Sequence, residues 1–305
     1  MKCNMCPRAC NVDRNVNTGF CGMTNDIYAA RAALHMWEEP CISGEHGSGA
    51  VFFSGCTLRC IFCQNSEIAA AQVGKKITVE RLSDIFLELQ DKCANNINLV
   101  PATHFVPQVA EALVKAKNKG LVIPVVYNSS AYENVSTLNM LDGLVDVYLP
   151  DMKYIDSRLS AEYSKASDYA DVAKAAIHEM VRQTGKPEFF IVDDELVKSG
   201  RVEAGIMKKG VIVRHLVLPG TTKDSKAVIK YLIDTYGDDI YISIMSQYTP
   251  FERLKKHPLL SRKVTRKEYN SVVDYAIDCG INNGFIQEGD VAEESFIPEF
   301  DYEGI

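Results

Sequence analysis

The chain has 305 residues, 47% of them hydrophobic, with 33 Lys and Arg against 40 Asp and Glu for a net charge of -7. That is enough apolar material for a full core, and one large α/β domain with a small appendage fits better than two equal domains. The acidic balance counts against a nucleic-acid partner, which needs concentrated basic surface, and with no apolar run of ~18 residues and no signal-peptide stretch a cytoplasmic protein without membrane contact is expected.

In chain order the first feature is cysteine. Cys3, Cys6, Cys10, Cys21, Cys41, Cys56, Cys60 and Cys63 all precede residue 64, and only Cys93 and Cys279 follow. In a reducing compartment such bunching points to metal or redox chemistry rather than to disulfides. Cys3, Cys6, Cys10 and Cys21, followed by Gly22, offer four sulfurs to a tetrahedral zinc or to a second four-iron cluster, and the spacing does not discriminate. Residues 1–49 carry little apolar periodicity, so they read as a small Cys-rich cap stapled by that metal, with a site separate from anything downstream. Within it, Cys41 lacks a partner at metal spacing and reads as structural. The pair Glu38-Glu39 beside Trp37 reads as an exposed acidic turn. The glycine-rich Ser43–Gly49 precedes a strand instead of following one, so it is a turn lying against the cofactor end and not a nucleotide loop.

Residues 50–280 alternate between apolar runs and amphipathic stretches. Val51–Ser54, Ile97–Ala102, Val122–Tyr127, Val145–Leu149, Val211–Leu218 and Ile240–Met245 read as parallel strands covered on both faces. Helices are expected after the N-cap Thr78, with Leu82, Ile85, Phe86 and Leu89 on one stripe, over Val106–Lys119 before Gly120, over Asp168–Gln183 and Asp224–Tyr236, after a Thr265/Glu268 capping box, and briefly over Asn134–Leu141. Cys93 and Cys279 fall on helices and read as core. Six β/α units predict an open, partial (β/α)6 barrel of parallel strands, with ligands at the carboxyl ends. The acidic tail 281–305, holding Phe285, Phe296, Phe300 and Tyr302, is expected to lie over the barrel.

The sharpest signal is Cys56, Cys60 and Cys63, a C-x3-C-x2-C run directly after the first expected strand. Three thiolates on one loop can each hold one iron of a [4Fe-4S] cubane and leave the fourth iron without a protein ligand, an opening comparable to that of a catalytic zinc. A zinc loop with a distant fourth ligand, or buried thiols acting as small hydrophobes, are the competing readings.

With this run, the chain resembles the radical S-adenosylmethionine superfamily over residues 50–280, and within it the pyruvate formate-lyase activating enzymes. It is similar above all to an iron–sulfur branch of that group that shares the N-terminal cysteines and the stretches Trp37–Gly44, Val125–Asn128 and Arg214–Gly220. The resemblance implies reductive cleavage of S-adenosyl-L-methionine at the cluster and hydrogen abstraction by the resulting 5′-deoxyadenosyl radical. It also implies an electron donor such as a flavodoxin or ferredoxin. The substrate would be a glycyl or other residue of a protein or peptide, or a small metabolite. A non-catalytic iron–sulfur electron-transfer protein is the alternative, but it would not need an open iron or polar strand ends.

The resemblance places Phe62 near the adenine, where ordinary loop packing is the competing role. It sets Asp151, Lys153 and Arg214 at strand ends, with Lys153 and Arg214 toward the methionyl carboxylate or ribose and Asp151 supporting a lysine or a monovalent cation. An ion-pair network in the barrel mouth would use the same three residues. Asn128 is expected in the same cavity. Two departures stand out. Pro101–Pro107 replaces the Gly-Gly-Glu that ends the second strand in the family, so Thr103 and His104 are expected to supply that contact. Ser246-Gln247-Tyr248 stands where the activating enzymes carry a histidine. His104 and His215 read equally well as satisfied core residues.

Overall fold

The computed structural model describes residues 2–190, 205–287 and 298–305. Its strands are β1 (Ile27–His35), β2 (Ser48–Phe53), β3 (Lys75–Ile77), β4 (Ile97–Val100), β5 (Val125–Ser129), β6 (Val147–Pro150), β7 (Glu188–Phe189), β8 (Met207–Leu216), β9 (Tyr241–Met245) and β10 (Gly284–Ile286). They form one open sheet in the order β10-β9-β8-β6-β5-β4-β2-β1-β3, with β7 paired to β8. The six expected parallel strands are present in sequential order as β2, β4, β5, β6, β8 and β9.

The helices are α1 (Pro40–Ser43), α2 (Ser66–Ala69), α3 (Val79–Asp91), α4 (Val106–Asn118), α5 (Val135–Leu138), α6 (Ser157–Ser164), α7 (Tyr169–Thr184), α8 (Thr222–Tyr236) and α9 (Arg266–Asp278), the long ones packed on the outer face of the sheet. Among the described residues no helix is long and apolar enough to cross a membrane. Local chemistry sets the helix starts. Thr78 Oγ1 accepts from the Arg81 amide at 3.1 Å, and Leu82, Ile85, Phe86 and Leu89 are then all buried. Thr265 and Glu268 form the reciprocal capping box of α9. Thr265→Ala is expected to cost about 1 kcal/mol, read as a lower denaturation midpoint at unchanged slope.

Strand alternation divides the core. Val51, Phe53, Leu99, Tyr127 and Val213 join the large cluster under the helices. Phe52 and Val100 face the lumen of the partial barrel, as do Val126 and Ile212. Cys41 and Ile42 of α1 pack into that second set, so α1 plugs the lumen from below.

Several expectations change. β1 lies inside the 1–49 segment yet is a nine-residue strand paired antiparallel with β2. Its alanines, poor strand formers, conceal it in the sequence, although Ala29, Ala30, Ala32 and Ala33 are all buried. The Ser43–Gly49 turn sits at the amino end of β2, opposite the expected cofactor end. A side chain on Gly44 would collide with Asn95 and Ile206 there. Of the tail, Pro298 reaches a cavity at the carboxyl ends of the parallel strands. Gly284–Ile286 extends the sheet in parallel beside β9, and Tyr302 and Glu303 bond to Ala30 and Ala32 of β1. Phe300 packs edge-on to Phe52, whereas Phe296 lies outside the described residues. Cys93 is exposed just past α3 and Cys279 half-buried at the end of α9, so neither is a core residue.

Candidate cofactor site

A cavity of about 260 Å3 opens at the carboxyl ends of the parallel strands and brings together Cys56, Cys60, Cys63, Asn128, Asp151, Lys153 and Arg214. The cysteine loop leaves β2 through Gly55, whose φ is +88°; a Cβ there would stand 2.5 Å from Met23 and 2.8 Å from the Cys21 carbonyl. Glycine is required because the N-terminal cysteine segment packs directly on this loop. The loop is further held by Arg253, which donates to the Ile61 and Cys63 carbonyls at 3.1 and 2.7 Å. The Ser164 hydroxyl donates to Cys60 Sγ at 3.0 Å.

Burial pushes the Cys60 thiol up to about 11, against the pull of Lys153, and burial with repulsion from Cys56 and Cys60 pushes Cys63 up to about 12. Three neighbouring thiolates in such a place need cationic neutralisation, and iron bound to all three provides it. Among the described residues no His, Cys, Asp or Glu set closes around a single ion. Three thiols of one loop lining one cavity are a donor set that suits a cluster whose irons are each reached by one sulfur. Phe62 lines the cavity, and its ring packs edge-on to Tyr154, Tyr163 and Tyr248 at 6.4–6.5 Å, so one side chain belongs both to the cavity wall and to the packing behind the loop.

Behind the sulfurs runs a row of charge. Asp151 follows β6 and bridges to Arg214 on β8. Asp151 accepts from Arg214 Nε at 2.9 Å and from Lys153 Nζ at 2.6 Å. Burial raises the Asp151 carboxyl, but Arg214 and Lys153 together outweigh it and hold the group below the usual carboxylate value. Burial likewise works against the Lys153 cation, and Asp151 and Cys60 more than restore it. Arg214 also donates to Asn128 Oδ1 at 2.6 Å and to Glu38 Oε2 at 3.1 Å.

Glu38, expected at the surface, lies inside. Its side chain is 8% exposed and accepts from Asn98 at 3.0 Å and Asn128 at 3.3 Å. Glu39 is buried too, and burial raises its carboxyl while Arg214 lowers it. The physical reason is α1: plugging the lumen, it carries the preceding carboxylates in with it. Glu38 and its partner Asn98 are therefore site residues that sequence reasoning misses. A polar Asn98 inside the apolar run Ile97–Val100, and two acids between Trp37 and a helix-starting Pro40, are the available signals.

Thr103 and His104 do not line the cavity. The turn Thr103–Phe105 folds them under the cysteine loop. His104 Nε2 meets the Ser54 carbonyl at 2.7 Å, and burial, with help from the Arg14 charge, holds its imidazole down to about 3. His215 is also a buried ring, bonded to the Met152 carbonyl at 2.7 Å and held by burial to about 4.

Thr103 instead donates to Glu133 at 2.6 Å, as does Ser129. Burial pushes the Glu133 carboxyl up to about 7. An acid raised by folding supports the folded state fully only below its unfolded value, ~4.3. That support declines as pH rises and is gone once pH passes about 7, a loss on the order of 3 kcal/mol. Glu133→Gln should therefore unfold at a higher temperature than wild type at pH 8 and differ little at pH 4.5. Equal melting differences at both pH values would contradict this.

The four N-terminal thiols lie within electrostatic range of one another. Burial pushes Cys6 up to about 12, with repulsion from Cys10 and Cys21 adding to it, and Cys21 is raised by burial and further by Cys3 and Cys10. The Phe20 amide donates to Cys10 Sγ at 3.2 Å.

Residues 42–167 match a family model described as a 4Fe-4S single cluster domain, which includes Cys56, Cys60 and Cys63 and excludes the N-terminal four. A protein of Methanocaldococcus jannaschii without assigned function is 28% identical over 284 residues, 90% of this chain and 74% of its own length. The structure of Streptococcus suis SuiB bound to its precursor peptide SuiA aligns with a TM-score of 0.50 at 15% identity, over 77% of this chain and 46% of SuiB. SuiB bound to S-adenosylmethionine gives 0.50 at 14% identity, over 76% and 48%. The chain thus spans about half the length of SuiB, and at these identities the likeness is one of fold.

Proposed function

We propose that this chain is a radical S-adenosylmethionine enzyme that cleaves S-adenosylmethionine reductively and abstracts hydrogen from a residue of a peptide or protein; its cysteine loop, its match to a 4Fe-4S cluster domain and its partial-barrel fold support the reading. The observation that carries the reading is the meeting of three thiols and a Lys153–Asp151–Arg214–Glu38 row in one cavity. When bound, the cluster would supply the electron that cleaves the sulfonium to methionine and a 5′-deoxyadenosyl radical. Cys56, Cys60 and Cys63 would hold it, and Ser164 would stabilise the Cys60 thiolate by its hydrogen bond.

Lys153 keeps two donors beyond its bond to Asp151 and stands within electrostatic range of Cys60, so it would take the methionyl carboxylate. Arg214 would fix Asp151, Asn128 and Glu38 in place. Phe62 and its tyrosines would wall the site on the sulfur side, while Phe52, Val100, Leu216 and Met245 exclude water from the lumen. A peptide substrate is supported by SuiB, a fold neighbour crystallised with its precursor peptide. A purely electron-carrying role would leave the cavity and its charged row unused. The test is anaerobic reconstitution with iron and sulfide, reduction, and an assay for 5′-deoxyadenosine. No product above the cluster-free control would remove the proposal.

A further inference from the structure

We infer that Arg8 is a positioning residue coupling the N-terminal four-cysteine loop to the Cys56–Cys63 loop, so that the state of the first site sets the order and the potential of the second. The inference rests on the cluster reading above. Arg8 lies between Cys6 and Cys10 in sequence, yet its guanidinium bonds to carbonyls elsewhere. Nε donates to the Thr57 carbonyl at 2.8 Å. Nη2 donates to the carbonyls of Ser164 at 2.9 Å and Leu58 at 3.4 Å, and Nη1 donates to that of Lys165. Thr57 and Leu58 stand between Cys56 and Cys60, and Ser164 is the residue whose hydroxyl bonds to Cys60 Sγ. A single planar fork thus fixes both the loop and the partner of one of its sulfurs, which a lysine cannot reproduce.

The contact is answered from the other side. Arg59, on the Cys56–Cys63 loop with φ +54°, lies 5.3 Å from the centre of the Phe20 ring, and Arg8 lies 4.1 Å from the same ring. Phe20 adjoins Cys21, and its amide bonds to Cys10 Sγ. Gly22, φ +83°, leaves the room Arg59 needs, since a Cβ would sit 2.8 Å from its Nη2. Each loop therefore sends an arginine across to the other, and both meet on one aromatic ring. Metal held by Cys6 and Cys10 would fix the backbone that carries Arg8. Arg8 in turn presents positive charge to the carbonyls beside Cys60, which favours the more negative, reduced form of a cluster there.

The test compares Arg8→Gln, Arg8→Lys, Cys6→Ser/Cys10→Ser and the Arg8→Gln combination with that double variant. Measured are amide hydrogen exchange of residues 56–63 with and without added iron and sulfide, iron and sulfide content, and the midpoint potential of the catalytic cluster by spectroscopic titration. Arg8→Gln should speed exchange of the loop and, with the catalytic irons retained, lower the potential enough to reduce the reduced fraction about tenfold at fixed ambient potential, ~59 mV. Arg8→Lys should speed exchange as much while moving the potential less, because its charge remains. Cys6→Ser/Cys10→Ser should act in the same direction, and the combination should do no more than the larger single effect, the mark of a shared route. Unchanged exchange and potential in Arg8→Gln, or effects that simply add, overturn the coupling. A wild-type chain without iron at Cys56, Cys60 and Cys63 would instead overturn the proposed function, while the exchange measurement would still decide the coupling.

Discussion

Replacing Cys56, Cys60 and Cys63 together by Ala is expected to remove about four irons per chain and to abolish 5′-deoxyadenosine formation. The three sulfurs are the cavity's own thiols, and no other cysteine lines it among the described residues. Cys41 packs below the lumen against Val126 and Ile212 and cannot substitute. The fold should survive, because the loop is also held by Arg8, Arg253 and the Ile61–Tyr163 backbone bond. Far-ultraviolet circular dichroism would establish that, and iron, zinc and sulfide analysis would show whether metal at Cys3, Cys6, Cys10 and Cys21 persists. A folded triple variant that still yields 5′-deoxyadenosine after reduction would sink the cluster assignment.

What the sequence discloses, and what it hides, follows from how locally each feature is determined. The parallel strands are legible because burial on both faces demands near-continuous apolar runs, as in Ser48–Phe53, where every residue is buried. Capping residues such as Thr78 and Thr265 act over three positions and so announce helix starts directly. The cysteine loop is legible because cluster ligation fixes spacing. By contrast, Glu38 becomes a site residue only because α1 inserts into the lumen, a tertiary fact that two acids between Trp37 and Pro40 signal only faintly. β1 is concealed because alanines give no strand preference, and its burial comes from β2 and from residues 302–303. His104 fails as a cavity residue for a related reason. Its position after a strand is as expected, but the Thr103–Phe105 turn decides the direction of the ring.

Lys153→Ala and Arg214→Ala, expected from the sequence to behave alike, should separate. Arg214 has its guanidinium committed on three sides, to Asp151, Asn128 and Glu38, with Glu39 also within its field. Removing it leaves buried carboxylates facing one another, and breaking such a pair costs roughly 3–5 kcal/mol. The main loss in Arg214→Ala should therefore be stability. That deficit should be full at neutral pH and shrink as pH falls toward ~4. Asp151 contributes as a paired anion only above its depressed folded value, and at low pH it no longer requires a cation.

Among the described residues the Lys153 ammonium bonds to Asp151 alone, and it keeps donors for a ligand. Lys153→Ala should melt closer to wild type than Arg214→Ala does, yet bind S-adenosylmethionine about 10–100-fold more weakly, the equivalent of one lost charge-assisted hydrogen bond of ~1.5–3 kcal/mol. Iron content should stay unchanged in both variants. Calorimetric binding to the reconstituted protein, set beside thermal melts at pH 4 and pH 7, distinguishes the two roles. If Arg214→Ala binds poorly without losing stability while Lys153→Ala binds normally, the roles are reversed, and the arginine fork reaches the cofactor despite its three protein partners.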